Sequence, residues 1–129
     1  MRKIIVYIVI ILTILISCKK ENYDERNNVV GNYSGIKVST IYHFDDTIIE
    51  SHTSDIRINL AKSSLDSVIN INFEPPFHEF MFKYHSEKFT PISSPDSHPP
   101  SLRVTADSLF FGYKPGLGPY FISCIAKKE

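Results

Sequence analysis

The residues of this chain best suited to chemistry are five histidines, two cysteines and a scatter of acids. If Asp45-Asp46 turns a hairpin, then His43 faces Ile48, Ile41 faces Glu50 and Ser39 faces His52, so His43, Glu50 and His52 share a polar outer face. Two imidazoles and a carboxylate are zinc ligand types, but these rows are widely spaced for one ion, and exposed strand residues are the preferred reading. His78, His85 and His98 lie near proline-rich connections without a second ligand at metal-like spacing. There is no Gly-x-Ser-x-Gly elbow and no His-Glu-x-x-His motif. Gly116 and Gly118 sit among prolines before a strand rather than before a helix, so they make a turn rather than a phosphate cradle. No catalytic residue, cofactor or metal is therefore assigned, and the chain is expected not to be an enzyme; a dispersed hydrolytic triad is the least favoured alternative.

Aromatic residues are 12% of the chain, seven Tyr and nine Phe. Most belong in a core, while Tyr84, Phe89, Phe110, Tyr113 and Tyr120 are candidates to contact a ligand or partner. Thr47, Ser67 and Ser108 each follow an aspartate and precede an apolar residue. These tripeptides resemble bacterial O-glycosylation sites, but each also sits where a turn feeds a strand, and local hydrogen bonding explains Asp-Ser/Thr there.

Cysteine usage separates two roles. Cys124 lies in the strand-like run Tyr120 to Ala126 and reads as a small buried hydrophobe. Cys18 closes Leu15-Ile16-Ser17-Cys18, behind basic Arg2 and Lys3 and an apolar run from Ile4 to Ile16 that only Tyr7 and Thr13 interrupt. That run is too short to span a bilayer comfortably and has the length of a signal h-region. Its ending resembles the lipobox of bacterial lipoproteins. The resemblance implies cleavage before Cys18, acylation of its thiol and amine (palmitate among the chains), and attachment to an envelope membrane at its periplasmic or cell-surface face without a transmembrane helix. Residues 1–17 are then a signal peptide, 18–28 an acylated cysteine with a polar tether, and 29–129 a single β domain. Removing 1–17 takes two cations and no acid from 14 basic and 14 acidic residues, leaving a charge of about −2. A balance so near neutral argues against nucleic-acid binding.

The elements that would carry these residues are strands. In Ile36 to Phe44 the even positions, Ile, Val, Thr, Tyr and Phe, are expected on a core face. Ile56, Ile58 and Leu60, then Ile69, Ile71 and Phe73, then Phe80, Phe82 and Tyr84 repeat the alternation, as do Leu102, Val104, Leu109, Phe111 and Tyr113 across Ala106-Asp107. Ser86 to Pro100 is expected to be irregular, and Lys127-Lys128-Glu129 a solvated tail. The fold class is all-β, an antiparallel meander of about seven or eight strands forming a small barrel, with a two-layer β-sandwich as the alternative. Gly31-Asn32-Tyr33-Ser34-Gly35 and Leu102 to Leu109 resemble segments of small lipocalin-like bacterial lipoproteins. That resemblance implies the barrel architecture rather than an activity, and the chain lacks the tryptophan of the lipocalin first strand. The expected function is an envelope binding module for a small ligand, glycan or envelope protein; the alternative is a structural lipoprotein docking on a larger complex.

Overall fold

The computed structural model of the chain describes residues 23–92, 98–116 and 118–129; Cys18 and the signal segment lie outside the described residues. A short 3-10 helix, Glu25–Asn28, precedes eight strands: β1 Gly31–Tyr42, β2 Ile48–Lys62, β3 Val68–Glu74, β4 Phe80–His85, β5 Lys88–Pro91, β6 Ser101–Val104, β7 Ser108–Tyr113 and β8 Tyr120–Lys128. All pairings are antiparallel, in the order β5-β4-β3-β2-β1-β8-β7-β6. The first and last strands close on each other, while β5 and β6 lie side by side without a ladder between them. The sheet is thus a nearly closed eight-stranded barrel, and the sandwich is not the architecture adopted.

Period-two alternation builds the interior as expected along most of the chain. Ile56, Ile58, Leu60, Ile69, Ile71, Phe73, Phe80, Phe82, Tyr84, Leu102, Leu109 and Phe111 are all buried. β1 is the exception. Its odd positions face inward: Tyr33 is buried, and Lys37 pairs with buried Cys124 and sets its Nζ 5.2 Å from the Phe77 ring centre. Ile36 instead pairs with Ile125 on the outside, where they are 42% and 50% exposed. The face of β1 richest in large apolar residues is therefore the outer one.

Gly35 explains this choice of parity. A Cβ on Gly35 would stand 2.0 Å from the Ile125 carbonyl oxygen and 2.5 Å from the Ala126 Cα. Only a residue without a side chain lets β1 approach β8 there. With Gly35 fixed inward against Ala126, alternation sends Tyr33 inward two residues earlier, where its hydroxyl donates to the Val29 carbonyl at 2.7 Å. Burial raises the Tyr33 pKa.

The 3-10 helix seals the end of the barrel where β1 begins. Asp24 caps it, accepting from the Arg26 amide at 3.0 Å. The Arg26 guanidinium forks onto the same carboxylate at 3.0 and 2.9 Å and lies 3.1–3.2 Å from the carbonyls of Ser63, Leu65 and Val68 in the β2–β3 turn. Lys62 Nζ adds a contact to Asp24 at 3.0 Å, and Arg26 with Lys62 holds that carboxyl far below the usual range. The Ser86 amide donates to Glu25 at 3.0 Å. Residues 24–28, expected within the polar stretch, thus pack as part of the folded domain.

Two further segments differ from expectation. The stretch from Ser86 to Pro100 contains β5, reached through Ser86 and Glu87 at φ 48° and 63°. The C-terminal residues continue β8: Lys128 pairs with Tyr33, and the Glu129 amide donates to the Asn32 carbonyl at 2.9 Å.

Candidate functional site

At the end opposite the 3-10 helix, β3 stops at Glu74 while β1, β2 and β8 continue, so a three-stranded ribbon stands above the rim. Phe77, from the β3–β4 connection, closes the core beneath it, with its ring centre 4.3 Å from Phe73 and 6.4 Å from Phe111. His78 stacks on Tyr113 at 5.7 Å with a 9° interplanar angle. Among the described residues the side chains of the core cluster pack the interior, and the clefts taken up below lie at the rim and on the outer face.

The ribbon ends in a turn one residue longer than expected. The His43 amide donates to Thr47 O at 2.7 Å and the Asp46 amide to His43 O at 3.0 Å, with Asp46 in the left-handed region at φ 62°. Asp45 accepts from the Thr47 amide at 3.1 Å and the Thr47 hydroxyl at 2.6 Å, bonds that lower its pKa. Tyr42 consequently pairs with Ile48, and Ile49 is the unpaired residue of a bulge that restores Ile41 to Glu50 and Ser39 to His52.

Those last two pairings are the expected ones, and Glu50 and His52 do meet, at 2.8 Å. They continue the inner face above the rim, not the outer one, since Lys37, Ser39 and Ile41 share their side by alternation. His43 turns to Asp45 at 3.3 Å. Among the described residues no group of three His, Cys, Asp or Glu is placed to hold a metal ion.

The five aromatic candidates do not converge. Tyr84 and Phe89 pack together at 4.7 Å near the helix end, and Phe110 lies on the outer face beneath Arg103 at 4.7 Å. Tyr113 and Tyr120 share the inner face near the rim, both half-buried. Ser67, in the β2–β3 turn, and Ser108, which opens β7, are half-buried; the Ser67 carbonyl accepts from the Tyr84 amide at 2.7 Å, and Ser108 Oγ bonds Asp107 at 2.9 Å. Thr47 is exposed but engaged by Asp45. Cys124 is buried, and burial pushes its thiol up to about 11, with Lys37 opposing.

Alternation along the strands does not reveal the cleft between the β1–β2 and β7–β8 turns, about 450 Å³ in volume and lined by Tyr42, His43, Phe44, Asp46, Lys114, Gly118, Pro119, Tyr120 and Phe121. The Tyr42 amide donates to the Pro119 carbonyl at 2.8 Å and ties the two walls together. Phe44, expected in the core, is wholly exposed, and Ile48 and Ile49 are 64% and 61% exposed beside it. The available signal was the pairing of two turns, each flanked by aromatics, at adjacent strand ends. A broader outer depression over Ser34, Ile36, Asp55, Arg57 and Glu74 has no aromatic lining. No protein-family model, curated protein or solved structure matches the chain.

Proposed function

We propose that this chain is a lipid-anchored envelope lipoprotein whose barrel is a binding module working at its rim. The observation that carries the reading is the polarity of the domain. The described chain enters beside the sealed helix end, whereas Phe44, Ile48, Ile49 and the aromatic cleft stand at the other. β1 alone, at 12 residues, runs roughly 40 Å from one end to the other, which is about 30 Å along the axis of a barrel with tilted strands. A tether leading from the helix end to acylated Cys18 directs the hairpin away from the bilayer. The lipobox resemblance supports the anchor, and the lipocalin-like resemblance accords with the barrel.

A second reading, docking on a larger envelope complex, is favoured by the exposure of Ile48 and Ile49, which do not line the cleft. Cell fractionation of Cys18→Ala tests the anchor: the variant is expected to leave the membrane fraction, and its retention there would refute lipid attachment. Photo-crosslinking in cells from Phe44, with Leu65 at the helix end as control, tests the polarity. Stronger crosslinking from Leu65 would reverse it.

A further inference from the structure

We infer that the cleft between the β1–β2 and β7–β8 turns is a saccharide site; the inference rests on the binding-module reading and names its ligand class. The chemistry of the lining favours a neutral polar ligand over the simpler alternatives. Asp46 and Lys114 both face the cleft, and among the described residues neither forms an ion pair. A purely hydrocarbon ligand would strip water from a carboxylate and an ammonium and offer neither a partner, which is costly. An anion that meets Lys114 also meets Asp46 with Asp45 close by, and a cation that meets Asp46 also meets Lys114, so a singly charged ligand gains little net attraction. A neutral ligand rich in hydroxyls satisfies both, because each hydroxyl donates to a carboxylate and accepts from an ammonium.

The aromatic residues supply the other half of the recognition. Tyr42, Phe44, Tyr120 and Phe121 surround the cleft, and Phe44 is freely exposed with its ring 5.8 Å from that of His43 at 80°. The negative face of an aromatic ring attracts the polarised C–H groups on one side of a pyranose. A volume of about 450 Å³ falls within the roughly 300–1,000 Å³ of small-ligand clefts. The walls are already fixed by the Tyr42 to Pro119 bond and by Asp45 gripping Thr47, so little ordering is needed on binding.

The test is saturation-transfer NMR on the purified full chain in detergent, with short neutral N-acetylchito-, malto- and galacto-oligosaccharides at millimolar concentration and adenosine as a flat, hydroxylated control. At least one oligosaccharide is expected to receive saturation at its ring C–H protons, and Phe44→Ala to weaken it about 3- to 10-fold. Asp46→Asn and Lys114→Gln should each weaken it as well. Phe44 is fully exposed, so unchanged thermal unfolding of its variant separates lost binding from lost folding. Absence of transfer to every saccharide, transfer to adenosine as strong as to any of them, or transfer unaffected by Phe44→Ala overturns the inference. Crosslinking of a protein from Ile48 without saccharide binding overturns it too but leaves the binding module standing. Neither signal overturns both.

Discussion

Replacing Gly35 with alanine should open the barrel at the seam where its first and last strands meet. The added Cβ would lie 2.0 Å from Ile125 O, 2.5 Å from Ala126 Cα and 2.8 Å from Ala126 Cβ. The obstacles are backbone and a side chain with no rotamers, so the relief open to a flexible side chain is absent. The two strands must separate by about 1 Å to bring the closest contact to 3.0 Å, the floor for real Cβ contacts. Overpacking costs typically 1–3 kcal/mol, and each ladder hydrogen bond lost as the strands part adds about 1 kcal/mol. A total of about 3 kcal/mol is a large share of the roughly 5–15 kcal/mol that holds such domains together. For a domain of this size it corresponds to a fall in Tm of roughly 12–20 °C. Thermal unfolding followed by circular dichroism measures it, and hydrogen exchange should show the amides of β8 losing protection before those of β3. Gly118→Ala is the control: among the described residues nothing lies within 4 Å of a Cβ there. A Tm change below about 2 °C for Gly35→Ala would refute the close-approach argument.

Arg26→Ala removes the guanidinium from the three carbonyls of the β2–β3 turn; discounted for partial exposure, a loss of about 2 kcal/mol and about 10 °C in Tm is expected, with Arg26→Lys recovering little because one ammonium cannot replace the fork. Equal melting of Arg26→Ala and the parent would count against the seal. The Asp24 carboxyl titrates lower in the folded chain than in the unfolded one, so its stabilisation is complete above about pH 4 and disappears as the pH falls toward the folded value. The Tm gap between the parent and Asp24→Asn should therefore be widest near neutrality and close in acid; a gap independent of pH would contradict this. Cys124 is buried with its pKa near 11, so alkylation at pH about 8 should be slower than in denaturant by at least about 10²-fold. Rapid labelling of the native chain would place that thiol elsewhere.

Strands with strict alternation were legible because one residue in two is apolar and the other polar, as in Ile69-Asn70-Ile71-Asn72-Phe73. β1 misled for the same reason. Its apolar residues are real, but a close backbone approach at Gly35 outranked their burial and turned Ile36 outward. The Gly31-x-Tyr33-x-Gly35 pattern nevertheless held the correct parity, since it names the inward residues. β5 was hidden because its turn places Ser86 and Glu87 at positive φ, where glycine or asparagine would have announced a hairpin. The role of Asp24 to Asn28 was hidden because Arg26 bonds to backbone carbonyls, whose exposure depends on a turn 37 to 42 residues away. The hairpin at Asp45-Asp46 was located correctly, and its longer turn and the bulge at Ile49 cancel in register, which is why Glu50 and His52 were paired with the right partners. The rim cleft needed three-dimensional closure, because Phe44 and Phe121 are 77 positions apart and come together only when β1 meets β8.

The junction of β1 with β8 and the unladdered boundary between β5 and β6 also fix the order in which the molecule can be built. As the chain emerges, β1 has only β2 beside it and waits for the most distant strand before its other edge is covered. A circular permutant that joined the ends near Tyr33 and Lys128 and started anew between β5 and β6 would form every ladder between consecutive strands. Its mean sequence separation between contacts would fall, and with it the loop-closure entropy opposing folding. The native arrangement instead makes closure wait for the eighth strand, so a chain that lacks it exposes one edge of β1 until β8 arrives.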